Sequence, residues 1–107
     1  MEEERGTSAQ QACGTHMKAT PRDEQLKRDL SCRINRAIGQ LGGIRNMVEE
    51  DRYCGDVLTQ LAAVESAVKA ISREVMRDHL QTCVVERIQA GDTEVTDEVM
   101  QLFKKFM

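Results

Sequence analysis

Apolar residues recur every three or four positions over most of this chain, which is the spacing of helices with one apolar face. The first such stripe consists of Leu26, Leu30, Ile34, Ala37, Ile38, Leu41, Ile44 and Val48. We predict that Thr20 caps this helix and that Pro21 takes its first position, because a side-chain oxygen followed by proline suits a helix start. The acidic cluster from Glu49 to Asp51 is expected to lead into a break.

A second and longer helix is predicted from about Tyr53 to Gln89. Its apolar residues repeat at alternating spacings of three and four, close to a heptad pattern: Val57, Leu61, Val64, Val68, Ile71 and Val75. Gly91 and Asp92 supply the turn that ends it. A short third helix is predicted from about Thr96 to Phe106, and no segment has the alternating pattern of a strand.

These elements predict an all-α protomer with two long helices and one short helix. Residues 18–107 are expected to form this helical domain, whereas residues 1–17 are polar, lack periodicity and are expected to be a disordered tail. The chain has 107 residues, with one Tyr, two Phe and no Trp, so its aromatic content is too low for a large core. Chains of this size commonly depend on metals, disulfides or association, and we expect this protomer to bury its apolar faces by pairing.

The charge pattern narrows the classes of function. The net charge of −3 argues against a uniformly basic nucleic-acid-binding protein, yet the basic residues are unevenly distributed. One set of them forms either a phosphate-binding face or ordinary solvated helix faces: Arg33, Arg36, Arg45, Lys69 and Arg73. No apolar run is long enough to span a bilayer, and the acidic N-terminus does not resemble a signal peptide, so we expect a cytoplasmic protein without membrane association.

Cys54, His79 and Cys83 are the candidate metal ligands. Two thiolates and an imidazole form a soft ligand set that suits Cu(I) or Zn(II) far better than Mg²⁺ or Ca²⁺. His79 and Cys83 are four residues apart and therefore share one helix face. Cys54 lies at the start of the same predicted helix, roughly 37 Å from His79 at the rise of an α-helix. A metal bound by all three requires Cys54 of a second, antiparallel chain, which implies a dimer with two equivalent sites.

The remaining cysteines and histidine have simpler interpretations. Cys32 has no potential ligand at suitable spacing on its helix, and we expect it in the core or at an interface. Cys13 and His16 lie in the predicted tail, where they either reach a metal or have no role in binding. No catalytic triad, phosphate-binding glycine loop or inward pair of carboxylates is present, so the protein is not expected to be an enzyme.

The motifs around the candidate ligands resemble those of the copper-sensitive operon repressor (CsoR) family. The resemblance covers roughly residues 24–106, and the spacing of Cys54, His79 and Cys83 is typical of the copper-sensing branch. Its clearest stretches are Arg33-Ile-Asn-Arg-Ala-Ile-Gly-Gln40, Met47-Val-Glu-Glu-Asp-Arg-Tyr-Cys54, Leu61-Ala-Ala-Val64 and Leu102-Phe-Lys-Lys-Phe106.

The resemblance implies a fold, a function and a set of site residues. It implies antiparallel homodimers that assemble into a homotetramer, bind operator double-stranded DNA without metal, and release it when Cu(I) binds. Cys54, His79 and Cys83 would then be the trigonal Cu(I) ligands. Tyr53 and Glu98 would be the hydrogen-bonding partners that couple the metal to DNA affinity, since such partners orient a ligating imidazole.

Three alternatives to copper sensing stay open. Relatives that sense nickel recruit an N-terminal histidine, so His16 keeps a nickel-sensing repressor under consideration. A thiol-redox-sensing repressor of the same family would use Cys54 and Cys83 of two protomers as a disulfide or persulfide pair. A metal-buffering protein would use the same ligands without binding DNA.

Overall fold

The computed structural model describes residues 17–105, which are helices and connecting segments without any strand. The all-α prediction is therefore confirmed. The predicted tail, apart from Met17, lies outside the described residues, and so does Phe106. The elements in chain order are α1 (Glu24–Glu49), α2 (Cys54–Asp78), a π-helical segment (His79–Val84), α3 (Val85–Gln89) and α4 (Val95–Lys104).

The start of α1 differs from the prediction, and the assignment of Thr20 as its cap is wrong. Asp23 is the N-cap, and its carboxylate accepts a hydrogen bond from the backbone N–H of Leu26 at 2.8 Å. Pro21 consequently precedes the helix, and the Thr20 hydroxyl donates to the Glu86 carboxylate. Asp23 is a better cap than Thr20 because its charged carboxylate interacts favourably with the positive end of the helix dipole.

Helices α1 and α2 form a hairpin around a four-residue turn. The backbone N–H of Arg52 donates to the Met47 carbonyl oxygen at 2.9 Å, and Asp51 adopts a φ of 57°. Aspartate tolerates this left-handed conformation better than most residues, so the acidic cluster does end α1 as predicted. The two helices then pack along each other.

Only one line of each long helix is buried in the single chain. The buried residues of α1 are seven positions apart, and α2 contributes one buried residue: Leu30, Ala37 and Ile44, with Val64. Other members of the predicted stripes are exposed by 40–60%: Ile34, Ile38, Leu41, Val48, Leu61 and Val68. Each protomer thus carries an apolar face that its own helices leave uncovered.

A small core at the far end of α2 fixes the short last helix. Gly91, with a φ of 90°, turns the chain after α3 as predicted, and α4 folds back on the π-helical segment. Val95 is fully buried there. The rest of this cluster consists of Val84 and Val99, with Leu80 and Phe103 packed against them. This core holds α4 beside His79. Within the described part of the chain, no helix is both long and apolar enough to cross a bilayer.

The cap assignment generates a stability prediction. Replacing Asp23 with Ala should lower the free energy of unfolding by about 1 kcal/mol, because the Leu26 N–H loses its acceptor. Thr20→Ala removes only an exposed hydroxyl contact and should cost less. Urea denaturation followed by circular dichroism, at one fixed protein concentration, measures both. A larger loss for Thr20→Ala would contradict the observed cap.

Candidate metal centre

His79 and Cys83 lie in the π-helical segment, where an uninterrupted α-helix was predicted. The chain stays helical, but the wider turn changes the direction of the side chains around it. The Thr82 hydroxyl donates to the Asp78 carbonyl oxygen at 2.7 Å, a side-chain bond of the kind that bends helices. π-Helical turns of this kind are frequent at functional sites.

The ring of His79 presents a nitrogen without a partner. Its Nε2 atom is buried and makes no hydrogen bond with any residue in the range 17–105. The nearest carboxylate oxygen is Glu98 Oε2, at 3.9 Å, which is beyond hydrogen-bonding distance. Since an unpaired buried nitrogen costs free energy, this ring is ready for a new interaction. Glu98, the predicted hydrogen-bonding partner of this ring, is thus close to it without a hydrogen bond, and its role stays a prediction.

The thiol of Cys83 lies half-buried beneath the N-terminal segment. The Lys18 ammonium donates to Cys83 Sγ at 3.2 Å, to Asp78 Oδ2 at 2.8 Å and to Thr82 Oγ1 at 3.0 Å. Burial disfavours the ammonium, but the hydrogen bonds to Asp78 and Cys83 outweigh it and raise the pKa of Lys18 above its ordinary value. A positive charge therefore already lies at this sulfur before any metal is considered.

Cys54 and Tyr53 lie at the opposite end of α2. Cys54 is the first residue of this 25-residue helix and is exposed, so it is roughly 37 Å from His79 along the axis. Tyr53 is 75% exposed and its ring folds over Gly55, where an added Cβ would lie 2.6 Å from Tyr53 Cε2. Within residues 17–105 of one chain, no three His, Cys, Asp or Glu side chains gather as a metal site.

The structure thus brings His79, Cys83 and Glu98 together and leaves Cys54 and Tyr53 distant. This is the separation that the spacing predicted for a single chain. His79 and Cys83 supply an imidazole and a thiol, a soft donor pair that suits Cu(I) once a third donor arrives from elsewhere. Cys32 is exposed, so its predicted place in the core is wrong for the protomer, and its place at an interface stays a prediction.

A charged network beside Glu98 was not predicted from the sequence. Arg87 Nη1 donates to Glu98 Oε1 at 2.7 Å, and its Nε donates to Asp92 Oδ2 at 2.9 Å. Arg87 Nη2 forms an ion pair with the same Asp92 oxygen, 2.8 Å away. These hydrogen bonds raise the pKa of Arg87, and the bond from Arg87 holds the pKa of Asp92 below its usual range. The contacts cross the turn between α3 and α4, and no spacing rule signals them in the sequence.

The basic residues predicted to face DNA lie on the two long helices. Arg33 pairs with Asp29 across one helical turn, with Nε and Oδ2 3.2 Å apart. The other four are exposed and, among the described residues, have no carboxylate within 4.0 Å: Arg36, Arg45, Lys69 and Arg73. Four unneutralised cations are therefore accessible on the surface of a chain whose net charge is negative.

Residues 26–105 match the family described as metal-sensitive transcriptional repressor, which is most of the chain. The chain belongs to this family. It is 39% identical over 92 residues to the copper-sensing transcriptional repressor CsoR of Bacillus subtilis, covering 85% of this chain and 91% of that protein. It is also 42% identical over 67 residues to the copper-sensing transcriptional repressor RicR of Mycobacterium tuberculosis, covering 63% of this chain and 70% of that protein.

A copper-sensing repressor and a nickel-responsive transcriptional regulator of known structure share the fold. The crystal structure of the copper-sensing repressor CsoR with Cu(I) from Geobacillus thermodenitrificans has a TM-score of 0.78 and 31% identity, covering 86% of this chain and 97% of that chain. The nickel-responsive transcriptional regulator InrS has a TM-score of 0.63 and 28% identity, covering 87% of this chain and 99% of that chain. Most of this chain and nearly all of each of these two chains therefore share one fold.

The network around Arg87 generates a prediction about pH. Asp92 has a lowered pKa in the folded protein, so it stabilises the fold above its ordinary value of 3.8, and this contribution is lost as the pH falls through the lower folded value. Arg87→Ala should bring the pKa of Asp92 back toward 3.8. A carboxyl ¹³C NMR titration of both proteins measures this. An Asp92 pKa that is the same in both would contradict the assigned ion pair.

Proposed function

We propose that this chain is a copper(I)-responsive transcriptional repressor, which binds operator DNA in its metal-free form and releases it when Cu(I) binds. The observation that carries the proposal is the divided donor set. His79 and Cys83 lie together at one end of the second helix, and the third soft donor, Cys54, lies at the other end. The copper-sensing relatives named above support the choice of metal.

In this proposal the metal site is completed by two chains. Cys54 of one protomer approaches His79 and Cys83 of its antiparallel partner, which gives two sites for each dimer. The uncovered apolar faces of the two long helices are the surfaces that pair, and dimers associate further into a homotetramer. Two thiolates and one imidazole offer Cu(I) three soft ligands and leave no position for the oxygen ligands that harder metals prefer.

The exposed cations on the long helices are the proposed DNA-binding surface. Arg36 and Arg45 lie on α1, and Lys69 and Arg73 on α2, with Arg33 partly neutralised by Asp29. Binding through phosphates is electrostatic and falls steeply with salt concentration. Metal and DNA then act reciprocally: if Cu(I) weakens operator binding, operator binding weakens Cu(I) by the same free energy, typically about 1–3 kcal/mol.

Copper is favoured over nickel by structural likeness as well as by donor chemistry. The TM-score to the Cu(I)-bound repressor is 0.78, against 0.63 for the nickel-responsive regulator. The histidine on which the nickel alternative depends, His16, lies outside the described residues. The two thiols of the thiol-redox alternative, Cys54 and Cys83, are too far apart within one chain to form a disulfide, so that alternative also requires two chains.

The proposal is tested by DNA binding with and without Cu(I). The metal-free protein first selects a duplex from a randomised pool, and fluorescence anisotropy then measures its affinity for the labelled duplex under anaerobic conditions. One equivalent of Cu(I) per chain should weaken binding. His79→Ala should retain the metal-free affinity and lose the response to Cu(I), because the site lacks one ligand. Cys32→Ser, which removes a thiol outside the site, should keep the response.

Each of the three alternative functions predicts a different outcome in the same assay. Release by Ni(II) but not by Cu(I) would indicate a nickel sensor. A response that persists in His79→Ala would indicate thiol chemistry. A protein that binds Cu(I) tightly and selects no DNA would be a metal buffer, and the proposed repressor function would be wrong.

A further inference from the structure

A chain of charged side chains leads from the turn after α3 to the ring of His79. Asp92, in the turn, accepts a hydrogen bond from Arg87 Nε and forms an ion pair with Arg87 Nη2. The remaining nitrogen of that guanidinium, Nη1, donates to Glu98 Oε1 at 2.7 Å. The other oxygen of the same carboxylate, Glu98 Oε2, is 3.9 Å from the buried and unpartnered Nε2 atom of His79.

The position of the Glu98 carboxylate depends on this contact. Glu98 lies in the first turn of α4, and its side chain is 46% exposed. A glutamate side chain has three rotatable bonds, so burial alone does not direct its carboxylate toward the imidazole. The guanidinium supplies the missing constraint, because its donors have a fixed planar arrangement and Asp92 holds the group from the other side.

We propose that Arg87 is a positioning residue of the sensor: through Glu98 it fixes the ring of His79 for metal binding. The inference rests on the proposed function, in which His79 is a metal ligand. With one carboxylate oxygen bound to Arg87, the other faces Nε2 and favours the tautomer that carries its proton there. Nδ1 is then the unprotonated nitrogen, free to bind a metal.

The same arrangement connects the metal with the rest of the protein. If the imidazole bound a metal, its remaining N–H would become a stronger hydrogen-bond donor, and its attraction to Glu98 would increase. Because Arg87 ties Glu98 to the turn at Asp92, that attraction would act on α4 and on the turn as well as on one side chain. Without Arg87, Glu98 is able to follow the imidazole alone, and the metal has less influence on the helices.

Three variants test the role of Arg87. Arg87→Ala removes the anchor, and Arg87→Lys keeps the charge but loses the planar set of donors. Arg28→Ala is the matched control, since it removes an exposed arginine whose described partner is Gln25, far from the site in sequence. For each protein we would measure affinity for the selected duplex with and without Cu(I), and Cu(I) affinity by chelator competition. ¹⁵N NMR of the metal-free protein reports the His79 tautomer, with His16→Gln assigning the other histidine.

For Arg87→Ala we expect unchanged DNA affinity without metal, a loss of about tenfold or more in the effect of Cu(I), and a shift of His79 from a single tautomer to a mixture. Arg87→Lys should resemble Arg87→Ala, and Arg28→Ala should resemble the unmodified protein. Full recovery by Lys would mean that charge alone suffices and would overturn the proposal, as would an unchanged tautomer and an unchanged response in Arg87→Ala.

The NMR measurement separates this inference from the proposed function. If the unmodified protein binds no DNA or ignores Cu(I), the repressor proposal fails, yet the tautomer of His79 in the metal-free protein still reports on Arg87. A tautomer shift in Arg87→Ala alone would then support positioning of the ring. No shift would overturn it.

Discussion

The rigidity of one long helix is the constraint on which the rest of the structure depends. Cys54 begins α2, and His79 follows its last residue, so an intact helix keeps the two donors roughly 37 Å apart. Bending such a helix back on itself would break its backbone hydrogen bonds, and a single chain therefore does not bring the three candidate soft donors together. In the proposed function, the length of α2 means that a complete metal site exists only in the assembled protein. In that proposal, burial of the apolar faces left uncovered on α1 and α2 drives the assembly.

The part of the site that one chain does hold is built on a small core. Val95 and Val99 pack α4 against Val84, and this places Glu98 beside His79. The Lys18 ammonium donates a hydrogen bond to Cys83 Sγ. The buried Nε2 atom of His79 lacks a partner among the described residues, so the metal-free site contains a polar group whose requirements are unmet. An interaction that gives this nitrogen a hydrogen-bond partner is therefore favoured. Glu98, whose other carboxylate oxygen accepts a hydrogen bond from Arg87, is the nearest carboxylate to it.

Much of the fold was predictable because helix periodicity and turn residues are local signals. These local signals predict the three helices, the break near Asp51 and the turn at Gly91. They also predict the separation of Cys54 from His79. The N-cap was misassigned because Thr20 and Asp23 are both good acceptors, and contacts distant in sequence determine which one caps α1. The π-helical segment leaves no mark in the apolar periodicity, which predicts an uninterrupted helix there. The link between Arg87 and Glu98 joins residues eleven positions apart across a turn, and no periodicity reports such a contact.

Mixing two defective chains tests most directly whether the metal site is shared. Cys54→Ser and Cys83→Ser chains, carrying different affinity tags, would be produced together and purified by both tags in succession. Each variant alone should bind Cu(I) weakly. In a mixed antiparallel dimer, the Cys83→Ser chain contributes Cys54 to the intact His79 and Cys83 of the other chain, so one tight site should reappear for every two chains. If the mixed protein binds Cu(I) no more tightly than either variant alone, the site is not divided between two chains and the account is wrong.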